Sequence, residues 1–342
     1  MRKSILGALI SSAFAIAGPA HAGLILDLDG AGGVPAVEVT ALDWSQTSFL
    51  AQGANAAIAA FAGGATGSST QFQVYTHAKL TGYTLANGGT STSLPSAFTD
   101  KAEITMVAGY TEKVTSVNAT ATMATFATTG AGWLEIYYDT TPDADDLTGS
   151  GFNDGLLIAK LTGVGIDSTG LFMITSSTQI ALDQSSDGND YDGQLTISGI
   201  GSQESVKAGT GDIELDGDFF KSTLEGFVID YENISIGLPF RGANPSDCFN
   251  TTTNAGAIGS SNNSTCDTTH VDGLYSANGG SGGYTPVVGG TNGGSGPIEG
   301  PDFVAQTDFN SAVNGVPEPG TLALVGLALG TAGFAASRRR RS

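Results

Sequence analysis

The sequence predicts an all-β fold: an antiparallel β-sandwich-like domain, then a glycine-rich C-terminal stalk and a C-terminal transmembrane helix. Three observations predict it. Glycine supplies 50 of the 342 residues and charged residues only 13%, with Ser, Thr and Ala abundant. Thr is β-branched and disfavours helix, while Gly punctuates turns, so this mixture suits short strands and tight connections. Apolar and polar residues alternate with a period of two over several stretches. Dipeptides with hairpin-turn chemistry separate those stretches.

In chain order, the first element is a signal peptide, residues 1–22. Arg2 and Lys3 form a basic start, Ile5 to Ala17 an apolar stretch, and Ala20-His21-Ala22 a small-x-small site for signal peptidase before Gly23. The β-rich extracellular domain is expected over 23–245. Phe49 to Ala62 is its one helical candidate, weakened by Gly53. Gln71 to Leu80 alternates cleanly: Phe72, Val74, Ala78 and Leu80 point one way, Gln71, Gln73, His77 and Lys79 the other. This reading makes His77 a surface histidine. Ile104, Met106, Ala108 and Tyr110 repeat the period. Trp133 to Tyr138, Leu156 to Leu161, Leu171 to Thr175, Leu195 to Ile200, Ile213 to Leu215 and Phe227 to Ile236 read as further strands. Asn87-Gly88-Gly89, Asp154-Gly155, Asp187-Gly188, Asp192-Gly193 and Asp216-Gly217 supply the turns.

From about Ser246 to Gly315 the composition shifts to Gly, Asn, Ser and Thr. This segment reads as a loop followed by a flexible stalk over Ser276 to Gly300. It holds the chain's two cysteines, Cys248 and Cys266. In an oxidising compartment so close a pair forms one disulfide, worth about 3 kcal/mol in the chain-entropy model. A metal site would need more ligands than His270 and Asp247 or Asp267 provide.

Charge narrows the partners. The two ends hold six of the thirteen basic residues but, of the 33 acidic ones, only Glu318. Between Gly23 and Gly315 seven basic residues therefore face 32 acidic ones, a net charge of about −25. Such a surface repels nucleic acid and anionic lipid and attracts cations. Three clusters gather side-chain oxygens in turns: Asp139 with Asp143, Asp145 and Asp146; Asp183 with Asp187, Asn189, Asp190 and Asp192; and Asp216 with Asp218. Calcium takes six to eight oxygens, and Gly-containing acidic loops can supply them. Asp187, Asn189, Asp190 and Asp192 come nearest to a calcium loop, although Gly188 and Gly199 stand where an EF-hand needs its first and last acidic ligands. No catalytic machinery is legible: Gly279-Gly280-Ser281-Gly282-Gly283 matches a nucleophile elbow inside a tract that cannot build strand–turn–helix. The chain reads as a non-enzyme.

At the C-terminus, residues 316–342, Pro317-Glu318-Pro319 breaks the chain. The apolar run Thr321 to Ala336 follows, and then Arg338, Arg339, Arg340 and Arg341 stop transfer on the cytoplasmic side. At 16 residues the run is short against the roughly 20 a bilayer wants, which sets it apart from an ordinary anchor. This tripartite end resembles the PEP-CTERM sorting signal of Gram-negative bacteria. The resemblance implies an inner-membrane-anchored precursor. A membrane-embedded exosortase then cuts near Pro317, Glu318 and Pro319 and passes the body to the cell surface or extracellular matrix. The transmembrane helix is then a transient sorting helix.

The stretch Phe72 to Gly163 is similar to flocculation-associated PEP-CTERM proteins. Val107-Ala108-Gly109-Tyr110-Thr111-Glu112, Glu135-Ile136-Tyr137-Tyr138-Asp139 and Gly149-Ser150-Gly151-Phe152-Asn153-Asp154-Gly155 carry the similarity. It implies a non-enzymatic protein that promotes flocculation or biofilm aggregation together with exopolysaccharide. Acidic loops holding divalent cations (Ca2+) would bridge to anionic polysaccharide, and Tyr75, Tyr83, Tyr137, Tyr138 and Trp133 are candidates to stack on sugars. The competing readings are a carbohydrate-binding module without a cohesive role and a secreted hydrolase.

Overall fold

The computed structural model describes residues 23–86, 91–120, 122–146, 149–165, 169–181, 195–207, 213–222, 224–231, 257–260, 303–307 and 309–315. The signal peptide with Ala20 and Ala22, the Asp187–Asp192 cluster, Cys248 and Cys266, the Ser276–Gly300 stalk, and the C-terminal signal with Pro317 to Pro319 and Arg338 to Arg341 lie outside the described residues.

The described chain runs β1 (Leu24–Leu26), β2 (Val37–Trp44), β3 (Thr47–Gln52), α1 (Ala54–Ala62), a 3-10 turn (Gly67–Thr70) and β4 (Gln71–Leu85). There follow β5 (Ser91–Ser93), α2 (Ser96–Thr99), β6 (Glu103–Val117), β7 (Met123–Asp139), β8 (Leu156–Gly165), β9 (Thr169–Ala181) and β10 (Leu195–Lys207). The last are β11 (Ile213–Leu215), β12 (Leu224–Tyr231), β13 (Phe303–Thr307) and β14 (Phe309–Gly315).

All fourteen strands share one sheet, and each described pairing is antiparallel, as the alternation predicted. The sheet curls until it meets itself: β2 pairs with β14 on one edge and β4 on the other, closing the path β2-β14-β12-β10-β9-β7-β6-β4. The bend comes from the long strands. The register of β7 breaks between Thr129 and Trp133, where Gly130 takes φ 80°; its first half pairs with β9 and its second with β8. An extra residue on one strand of a pair bends it and sharpens its twist. Opposed parts of the curled sheet then face each other across one core, where Leu24, Leu42, Trp44 and Val313 meet Phe72, Met106, Leu134 and Ile158.

Two expectations need correction. Phe49 to Gln52 is strand, and the helix starts only at Ala54. Gly53 is the joint between them at φ 81°, a left-handed conformation that glycine adopts without a Cβ penalty. The sheet also draws on the segment expected to be loop and stalk: β13 pairs with β3, and β14 lies between β12 and β2. There Ser311 and Val313 are buried, and Trp44 Nε1 donates to Ser311 Oγ at 2.8 Å. No described helix is long and apolar enough to cross a membrane.

Candidate functional site

The described parts of the connection from β7 to β8, residues 140–146 and 149–155, lie over the outer face of β4, β6 and β7 as a strap. Charge fastens one side. Glu103 Oε1 accepts the amides of Asp143 and Ala144 at 2.8 and 2.9 Å. Lys79 Nζ donates to the Ala144 carbonyl at 3.0 Å and pairs with Asp146 Oδ2 at 3.4 Å. Burial pushes the Glu103 carboxyl up, opposed by the two amides and by Lys79. Asp146 is raised by burial as well, with Lys79 working against it.

Packing fastens the other side. Phe152 is 2% exposed and sits with Val107, Tyr137 and Leu157 in a second apolar cluster on the sheet's outer face. Thr105 Oγ1 donates to the Phe152 carbonyl at 2.8 Å. The Phe152 ring lies 3.9 Å from His77. Two glycines let the strap fold this tightly. A Cβ on Gly151, at φ 78°, would come within 2.7 Å of Ala144 backbone, and one on Gly155 within 2.5 Å of the Tyr138 carbonyl.

The strap overturns the reading of His77 as a surface residue. His77 does point to the outer face, but the strap covers it to 1% exposure, with Thr47 Oγ1 3.3 Å from Nδ1. Burial, aided by the Lys79 charge, lowers its pKa to about 3. It is a neutral packing residue at neutral pH. Sequence alternation registers which face a side chain takes and is blind to what later covers that face.

Asp139 at the end of β7, Asp143 in the strap and Asp154 before β8 present carboxylate oxygens that all lie within 4.8 Å of one another. Two oxygens each 2.3–2.6 Å from one calcium are at most about 5 Å apart, so the three fit a single ion. Asp154 Oδ1 is buried without a hydrogen-bond partner. Burial raises the Asp154 carboxyl, and the charges of Asp143 and Asp139 raise it further. A divalent cation among the three would offset that repulsion and occupy the orphaned oxygen.

The sequence grouped Asp139 with Asp143 but not with Asp154, which it assigned to a turn. The register supplies the missing link: Tyr138 faces Leu156, so the residues that flank them, Asp139 and Asp154-Gly155, meet at the strand ends. Asp145 and Asp146 lie apart from the trio, Asp146 turned toward Lys79. Asp216 Oδ1 accepts the Asp218 amide at 2.8 Å and caps a turn. That turn presents Phe219, whose ring lies 4.9 Å from Tyr138. Of the proposed sugar-stacking aromatics, Tyr83 and Tyr137 are core, and Tyr138 packs between Phe98 and Phe219. Tyr75 and Trp133 stay partly exposed on the outer face.

Residues 315–341 match the family model of the PEP-CTERM protein-sorting motif. The chain carries a PEP-CTERM sorting signal. It is therefore an exosortase-targeted, exported surface protein, made as a membrane-anchored precursor in a Gram-negative bacterium. Among curated proteins and among solved structures nothing matches the chain. The sorting signal begins where β14 ends, at Gly315.

Proposed function

We infer that this PEP-CTERM protein is a non-enzymatic surface or matrix protein that promotes flocculation or biofilm aggregation together with exopolysaccharide. Its strap holds a divalent cation, with calcium the best match, and the ion bridges the protein to anionic polysaccharide. The observation that supports this is the trio of Asp139, Asp143 and Asp154, whose carboxylate oxygens lie within 4.8 Å of one another, with Asp154 Oδ1 buried and without a hydrogen-bond partner. The three phrases that carry the flocculation resemblance also meet here, through Val107, Tyr137 and Phe152 in one cluster. A body with net charge of about −25 cannot approach an anionic polymer closely without a cation between them. His77, the one histidine among the described residues, is buried and neutral, which argues against a histidine base there.

The test is calcium titration of the full chain in detergent, paired with sedimentation of cells that display it. Asp154→Asn is expected to weaken calcium binding about tenfold or more, since it removes one charged ligand. Aggregates should disperse in chelator and re-form when calcium returns, while Asp154→Asn cells should stay dispersed with normal surface display. Aggregation indifferent to chelator overturns the bridging mechanism.

A further inference from the structure

We propose that Tyr75 and Trp133 form a shelf on the outer face of β4, β6 and β7 that binds an uncharged polysaccharide chain. The register builds the shelf: Tyr75 faces Gly109, Gly109 faces Trp133, and Trp133 faces Thr162, so the four share one row on one face. With strands about 4.8 Å apart, the two aromatic positions stand roughly 10 Å from each other. Gly109 is required between them. A Cβ there would fall 2.8 Å from Trp133 Nε1 and 2.9 Å from Cε2, so the indole lies across the glycine and toward Tyr75.

The shelf has a wall and an open side. Trp133 leans on the cluster of Val107, Tyr137, Phe152 and Leu157 beneath the strap, which fixes the ring's position while leaving it partly exposed. On the open side the next row holds Gln73 and Thr111, joined by a 2.8 Å hydrogen bond and both partly exposed. Neither the Tyr75 hydroxyl nor the Trp133 indole N–H has a partner among the described residues, and neither is a buried orphan. Both rings are partly exposed, and burial raises the Tyr75 hydroxyl above its ordinary pKa.

This combination selects a sugar ring. One face of a pyranose presents C–H groups that pack on an aromatic surface, and its rim presents hydroxyls that exchange hydrogen bonds with Tyr, Trp, Gln and Thr. The row carries no charged side chain, and the body's charge of about −25 disfavours an anionic chain wherever no cation intervenes. An uncharged chain is the occupant that fits. The inference rests on the reading of the protein as a polysaccharide partner and adds a surface separate from the acidic trio.

Tryptophan fluorescence reads the shelf directly. Of the two tryptophans, Trp44 is 1% exposed and bonded to Ser311, so acrylamide-quenchable emission comes from Trp133. The probes are a neutral β-glucan and a neutral galactomannan, added to the full chain in detergent with excess chelator. Saturable protection of Trp133 is expected from at least one of them. Tyr75→Ala should weaken the apparent affinity about fivefold or more, with unchanged thermal unfolding. Trp133→Phe, which keeps the packing, should retain part of the retardation in polysaccharide affinity gels. Absence of protection by both polymers, or protection that Tyr75→Ala leaves intact, overturns the shelf. Because chelator is present throughout, that failure leaves the cation bridge standing. Intact protection with aggregation indifferent to calcium removes the bridge and keeps the shelf.

Discussion

Two buried titratable residues pull the stability of this protein in opposite directions with pH. His77 has a folded pKa of about 3 against an ordinary 6.5, first from burial and then from Lys79. Between those values the unfolded chain binds a proton that the folded one refuses. The His77 contribution is therefore complete above pH 6.5 and is lost as pH falls toward 3. Glu112 faces the core and burial raises it from 4.5 to about 8. The folded chain keeps that proton over the interval, so its contribution is complete below 4.5 and is lost as pH rises through 8. Each slope is at most about 1.4 kcal/mol per pH unit. In denaturant unfolding measured across pH, Glu112→Gln should flatten the fall between pH 6.5 and 8, steepen the rise between 4.5 and 6.5 where the two groups oppose each other, and leave the limb below 4.5 unchanged. An alkaline limb that stays as steep would assign it to another group. The sequence placed His77 on the surface and did not mark Glu112, since burial of a charge depends on which segments pack over it.

The strap is the element that turns a strand connection into a site. Phe152 anchors it in an outer-face cluster, while Glu103 and Lys79 hold its acidic half. Phe152→Ala should destabilise the fold by about 3–5 kcal/mol, the usual cost of emptying a buried aromatic site. It should also uncover His77, whose pKa would climb from about 3 toward 6.5. Imidazole NMR titration separates the two effects: lost stability with an unmoved His77 would mean that something other than the strap covers it. Strand positions in this region were legible because alternation survives on the inner face, as with Ile104, Met106, Ala108 and Tyr110, all buried. The strap was not legible, because 140–155 has the Gly, Asp and Thr composition of an exposed turn and its aromatic anchor, Phe152, carries no periodic signal.

At the scale of the molecule, β14 closes the sheet with residues that end where the sorting signal begins. Its pairing with β2 joins Asn310 to Asp43 and Ser311 to Leu42, contacts between the first and last parts of the described chain. The Trp44–Ser311 hydrogen bond locks the joint. The segment next to the sorting signal is among the last to be synthesised, so closure of this circuit is among the last folding events. Deleting 316–342 should change where the protein goes and leave its unfolding midpoint within a few degrees. Deleting 309–342 opens the circuit beside the core residues Trp44 and Val313, and should leave the body protease-sensitive with no cooperative transition. Equal stability of the two truncations would show that β14 is dispensable.

The sequence alone revealed the C-terminal sorting signal, because targeting signals are linear: order, charge and apolar length carry them without a fold. It determined antiparallel β-structure through periodicity, a property local to each strand. It could not show that residues beyond 300 complete the sheet, that Asp154 joins Asp139 and Asp143, or that His77 is sealed under Phe152 while Tyr75 and Trp133 stay open beside it. Those are relations between distant segments, and only the register of paired strands and the cover laid over them decided which side chains share a face and which of those faces meet solvent.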